Sequence, residues 1–165
     1  IYYPVCEYIR QGINFSNERF CFSNLNINYS ICDTYPSILV IPKICDNDNL
    51  KKAASYRMKN RLPILTYYYT NYKPEYEKSN VFPKEIIKSY LYRCAQIKTG
   101  GILFKNKNEE IEYIDQITNI EKNNKGFIIY DCRPLMNAQA NSFIGAGVED
   151  IKNYSNCKEL IFGCI

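Results

Sequence analysis

The sequence predicts an α/β fold with a mixed or parallel sheet and flanking helices, on three observations. Apolar runs of strand length recur along the chain, stretches with helical spacing separate them, and the runs are continuous rather than alternating in polarity. Continuous apolar strands are buried on both faces, as in parallel or mixed sheets. Strand–helix alternation places the chain in the α/β class. Its 165 residues suit one domain with its own core. An aromatic content of 15%, with 16 Tyr and 8 Phe, argues for packing over disorder.

Taken in order, the stretch to about Ser30 mixes short β and turn signals. The first strand is Ser37–Ile41, stopped by Pro42. A helix over Asp46–Asn60 puts Leu50, Ala53, Ala54 and Met58 on one face, with Asp46 or Asp48 as N-cap. Pro63–Tyr69 is the second strand. The polar segment Asn71–Tyr90, with Pro74 and Pro83 and no period, is expected to be a surface loop or insertion. A second helix spans Asn108–Ile120, with Ile111, Ile114, Ile117 and Ile120 in one stripe and Glu109 and Glu110 in its first turn. Gly126–Tyr130 is the third strand. A third helix starts at Pro134, tolerated at the first helical position, with Met136, Ala140 and Phe143 on its apolar side. Glu159–Ile165 is the last strand. It needs a pairing partner, because an apolar edge invites aggregation. That strand runs flush to Ile165 and the chain opens on Ile1, so both ends read as cut.

The heavy use of Tyr, Asn, Ile and Lys has a simple source in AT-rich coding DNA, which lowers the weight of any single Tyr or Asn. A net charge of +4 and a pI near 8.5 fall short of a nucleic-acid footprint but suit docking on an anionic surface. No apolar run approaches the roughly 20 residues of a membrane-spanning helix. The eight Cys are read as thiols rather than a disulfide framework, since a chain this rich in core residues needs none. Cys32, Cys132 and Cys164 lie in or beside apolar runs and are expected to be buried. Without His or a Cys-x-x-Cys pair, no metal site is expected, and no cofactor is implied. The glycosylation sequons at Asn14, Asn28 and Asn153 are taken as chance in an Asn-rich cytoplasmic chain.

The absence of His excludes Ser–His and Cys–His nucleophile pairs. No Cys is followed by Arg six positions on, the spacing that cradles phosphate around a low-pKa thiolate, and no Walker or Rossmann glycine pattern occurs. Distinctive clusters are present instead: Glu7-Tyr8-Ile9-Arg10-Gln11-Gly12; Asn28-Tyr29-Ser30-Ile31-Cys32-Asp33-Thr34-Tyr35-Pro36; Ala54-Ser55-Tyr56-Arg57 running to Arg61-Leu62-Pro63-Ile64-Leu65; and Asp131-Cys132-Arg133-Pro134 running to Asn137-Ala138-Gln139-Ala140-Asn141, then Gly145-Ala146-Gly147-Val148-Glu149.

In this order the clusters resemble the myotubularin family of phosphoinositide 3-phosphatases. The resemblance extends over nearly the whole chain, with 71–90 as the main extra piece. It implies that residues 1–165 are the N-terminal part of a cysteine-phosphatase-like domain, usually preceded by a lipid-binding PH-like GRAM domain. The implied substrates are phosphatidylinositol 3-phosphate and 3,5-bisphosphate. By the same resemblance the catalytic loop, with its Cys, Arg and acidic Asp, falls outside this chain, which is then inert alone. The family also contains catalytically dead members that act as scaffolds, and this segment does not separate the two. Implied partners are a phosphoinositide head group, the C-terminal part of the same domain, and other subunits of a homo- or hetero-oligomer, at endosomal-type membranes facing the cytoplasm.

Asn141 matches the family Asn that contacts the head group, since an amide donates to phosphate or inositol oxygens. It reads equally as a helix C-cap. Arg133, at the carboxyl end of a strand, could face phosphate, but bracing a loop through a carboxylate is the favoured role. Asn137, one turn before Asn141, is a secondary substrate contact, with capping or solvation the stronger reading. Gly145 and Gly147 shape a tight turn near the cleft. The family more often has consecutive glycines followed by Tyr, and Ala146 and Val148 depart from that, as Phe20-Cys21 departs from the usual Trp-Arg. Lys51, Lys52, Arg57, Lys59 and Arg61 form a basic group that could dock on anionic lipid, although a solvated face is the ordinary reading. Asp33–Pro36 is expected to be a turn into the first strand.

Overall fold

The computed structural model describes residues 3–72, 86–98, 108–121, 126–142 and 145–163. Within them the chain is mixed α/β, with four helices and three two-stranded sheets rather than one larger sheet. The helices are α1 (Pro4–Arg10), α2 (Asn47–Ser55), α3 (Asn108–Thr118) and α4 (Leu135–Ser142). The strands are β1 (Phe20–Ser23), β2 (Leu39–Pro42), β3 (Ile64–Thr70), β4 (Lys88–Arg93), β5 (Phe127–Asp131) and β6 (Cys157–Phe162). β1–β2 and β3–β4 are antiparallel, and β5–β6 is parallel.

The predicted first strand is β2, buried along its whole length. Successive side chains alternate sides, so Leu39 and Ile41 enter one core with Leu50, Ala53, Ala54, Leu62, Ile64, Tyr113 and Ile117. Val40 enters another with Tyr8, Ile13, Phe20 and Leu65. Among the described strands, only β2 and the start of β3 are buried on both faces. The apolar run of β3 then emerges, with Tyr67 and Tyr69 exposed, because its partner β4 is antiparallel and leaves one face to water. Residues 88–90 of the predicted 71–90 loop are in fact β4; 73–85 lie outside the described residues. β5 also alternates, with Ile128 and Tyr130 exposed, against the expectation of burial on both faces.

The α2 cap is as read: Asp46 accepts the Asp48 and Asn49 amides, both at 3.1 Å. The helix ends at Ser55 instead of Asn60. Arg57 turns extended (φ −101, ψ 147) and bridges to Ile97, and Lys59 and Asn60 both take left-handed φ of 54. In α3 the buried side is Glu110, Tyr113, Ile114 and Ile117, rotated from the predicted isoleucine stripe by a charged residue on the core face. The predicted apolar side of α4 is wrong. Met136 is 81% exposed and Ala140 is exposed, whereas Ala138 is fully buried; Phe143 lies outside the described residues. Cys32 is buried as expected, but Cys132 is exposed at the end of β5, and Cys164 is not described.

The helix α1 escapes a periodicity search because it is short and buries a single residue, Tyr8. Tyr8 donates its hydroxyl to the Leu65 carbonyl. Gln11 takes the Tyr68 amide at 2.7 Å, and Gly12 turns the chain at φ +95, which a side chain would disfavour. The first sequence cluster therefore ties the N-terminal helix to β3.

Candidate functional site

The fourth cluster starts where β5 ends. Asp131 accepts from Arg133 in a forked pair, Nε to Oδ1 at 2.9 Å and Nη2 to Oδ2 at 2.6 Å, and also takes the Arg133 amide at 3.0 Å. The hydrogen bond from the guanidinium holds the Asp131 carboxyl below its usual range. Arg133 also donates through Nη1 to Gln96 Oε1 and through Nη2 to the Gly147 carbonyl at 3.2 Å. One planar side chain thus joins the end of β5, the 95–98 segment and the loop after α4. Its donors are directed at protein groups, which is the bracing geometry.

The loop is held by its backbone as well. The Gly147 amide donates to Ile97 at 2.7 Å, Lys98 bridges Ala146, and the Ala146 amide donates to the Asn141 carbonyl at 3.1 Å. On its other side, segment 96–98 is stitched to the turn after α2, by Met58 N–H to Gln96 at 3.0 Å and Lys98 N–H to Tyr56 at 2.8 Å. Asn141 lies inside α4, so its candidate role as a left-handed C-cap is not adopted; Gly145 takes the positive φ, +81. The Asn141 side chain is half-buried beside this loop, and Asn137 is exposed one turn earlier. Arg133 and Gly147 are therefore brought into contact, while Asn137 and Asn141 share the adjoining helix.

Arg57 is the residue that sequence reading misplaced. It is 1% exposed and so belongs to no basic surface. Its guanidinium meets Glu110 of α3 and Glu149 after the loop, and donates to the Ala95 carbonyl at 3.0 Å and the Cys94 Sγ at 3.6 Å. Burial pulls the guanidinium down, but Glu149, then Cys94 and Glu110, carry it above its ordinary value. The second oxygen of Glu149 takes the Tyr154 hydroxyl at 2.7 Å, and burial followed by the Glu149 charge drives that phenol upward. No local spacing marks it, because Arg57 lies beyond the end of α2 in an extended conformation and its partners are distant in sequence.

The rest of the basic group is dispersed. Lys51 and Lys52 pair with Asp48 and Glu109, Arg61 donates to Thr34 Oγ1 at 2.8 Å, and Lys59 is exposed. The second cluster is also structural. Asn26, fully buried, donates to the Cys32 and Pro36 carbonyls at 2.9 Å and accepts the Ile31 and Cys32 amides at 3.1 and 2.9 Å, fixing the turn before β2. A concavity of about 740 Å³ between Lys43–Ile44 and the Glu112–Asp115 side of α3 lies apart from this loop and includes none of the predicted site residues.

A family model described as the myotubularin-like phosphatase domain matches residues 1–164. The chain is 34% identical over 162 residues to phosphatidylinositol-3,5-bisphosphate 3-phosphatase MTMR2 of Gallus gallus, covering 98% of this chain and 25% of that protein. It is 34% identical to myotubularin of Xenopus laevis over 98% of the chain and 24% of the relative. MTMR2 of Mus musculus is 33% identical, with 98% of the chain and 22% of the relative aligned. The chain spans about a quarter of the length of these curated relatives. With the family model matching nearly every residue and these identities sustained from end to end, the chain belongs to the myotubularin-like phosphatase domain family.

Proposed function

We propose that this chain is the first part of a cysteine-phosphatase-like domain that removes the 3-phosphate from phosphatidylinositol 3-phosphate and 3,5-bisphosphate. The observation that carries the reading is the family match over residues 1–164, joined to relatives whose names specify a 3-phosphatase acting on phosphatidylinositol 3,5-bisphosphate. In this reading the chain supplies one flank of the head-group site and the nucleophilic Cys comes from a C-terminal part of the domain, because no Cys here is followed by Arg six positions on. Asn141 donates its amide to a phosphate or inositol oxygen. Gly145 and Gly147 let the loop backbone approach the ring, Asn137 extends the same helix face, and Arg133 holds the loop through Asp131, Gln96 and Gly147. The protein would work at the cytoplasmic face of endosomal-type membranes, where such lipids are met, alone or as a homo- or hetero-oligomer.

The test is phosphate release from vesicles of phosphatidylinositol 3-phosphate by the intact protein encoded with this chain. Turnover is expected, with Asn141→Ala lowering kcat/KM about tenfold, the loss of one substrate hydrogen bond, and residues 1–165 alone releasing none. Vesicle binding without turnover by the intact protein would favour the scaffold reading. Release by residues 1–165 alone would overturn the assignment of the nucleophile.

A further inference from the structure

The buried ion cluster at Arg57 does more than close the core. Its two carboxylates come from different places: Glu110 from α3, and Glu149 from the segment that leaves the Gly145–Gly147 loop. Arg57 is itself anchored by its backbone, through its bridge to Ile97 and through Met58 N–H to Gln96. The same 96–98 segment pairs with Gly147 and Ala146 and receives Arg133. The loop is thus bounded on one side by the Arg133 fork and on the other by the Arg57–Glu149 pair, with Tyr154 fixing the remaining Glu149 oxygen.

We propose that Arg57 is a positioning residue for the head-group flank, setting the Gly145–Gly147 loop through Glu149 without touching substrate. The inference rests on the reading of the site given under Proposed function. Charge counting makes it separable from a merely structural role. The cluster holds one guanidinium against two carboxylates, so neutralising either acid leaves one cation facing one anion. Glu149→Gln and Glu110→Gln therefore both keep a balanced buried pair, which avoids the penalty of an isolated charge. Only Glu149→Gln weakens the tether to the loop, replacing the charge-assisted bonds that Glu149 accepts from Arg57 and Tyr154 by neutral ones.

In the intact protein, Glu149→Gln is expected to raise KM for phosphatidylinositol 3-phosphate vesicles about tenfold, a displacement effect, with kcat within about twofold. Glu110→Gln is expected to leave KM unchanged. Arg57→Lys should reproduce the Glu149→Gln defect, because an ammonium cannot reach both acids with a fixed fork. Amide hydrogen exchange at Gly147 is the readout independent of turnover: faster in Glu149→Gln and unchanged in Glu110→Gln. Equal effects of the two Gln variants on KM and on Gly147 exchange, or none from either, would overturn the inference. Absence of turnover in the unmodified protein would overturn the functional reading alone, and the exchange comparison would then decide the positioning role.

Discussion

Arg57→Ala is expected to destabilise the domain by about 3–5 kcal/mol, the cost of leaving buried charge without its partner. Glu110 is 1% exposed and Glu149 11%, so water replaces the guanidinium poorly at Glu149 and not at Glu110. A loss of that size is a large share of the roughly 5–15 kcal/mol by which domains are stable. Urea denaturation would register it as a fall in the midpoint. The cause is tested by a triple replacement, Arg57→Met with Glu110→Gln and Glu149→Gln. Removing all three charges should recover most of the loss, because a neutral, filled site avoids the desolvation that an orphaned carboxylate suffers. A triple variant as unstable as Arg57→Ala would show that the guanidinium's hydrogen bonds to Ala95 and Cys94, not the relief of orphaned carboxylates, hold the junction.

The second large effect is expected at Asn26, whose amide carries the turn from Ile31 to Pro36. Asn26→Ala leaves the Ile31 and Cys32 amides and the Cys32 and Pro36 carbonyls without that partner in a dry site. Its cost is about 3 kcal/mol, the upper end for buried unsatisfied groups. Asn26→Asp should be worse at neutral pH, since a buried carboxylate then faces backbone carbonyls. Burial raises the folded-state pKa of such a carboxyl above its unfolded value, so the folded state binds its proton more tightly. The Asp variant therefore loses stability as pH rises past the unfolded value and regains it on acidification. A thermal midpoint that falls as pH falls in Asn26→Asp, relative to the unmodified protein, would contradict this account.

How far the fold was legible depends on how much of each signal is local. β2 and the core start of β3 were read from continuous apolar runs, and the Asp46 cap from a side chain that acts within three residues. α1 was hidden because a helix that buries only Tyr8 has no stripe to detect. β4 was hidden because its residues alternate between half-buried and exposed and its pairing with β3 is non-local. The stop of α2 at Ser55 could not be found from spacing, since beyond it Arg57 turns extended and pairs with the distant Ile97 and Glu149. The cationic cluster misled for the same reason: Arg57 looks like its neighbours Lys59 and Arg61 until both acids are placed beside it. At the candidate site, the Arg133 brace was legible from Asp131 two residues earlier. The share of Gln96 and Ile97 in holding the loop was not, because neither carries a motif of its own.

Asn141 near the end of α4 and the Gly145–Gly147 turn together form the proposed head-group flank. Its most direct measurement is amide hydrogen exchange of the intact protein with a soluble short-chain phosphatidylinositol 3-phosphate, compared with the same lipid lacking the 3-phosphate. The account predicts added protection at Asn141 and Gly145–Gly147 with the 3-phosphate only, and none beside Lys43 and Glu112. Protection that ignores the 3-phosphate, or that appears at Lys43 and Glu112 instead of the loop, would contradict it.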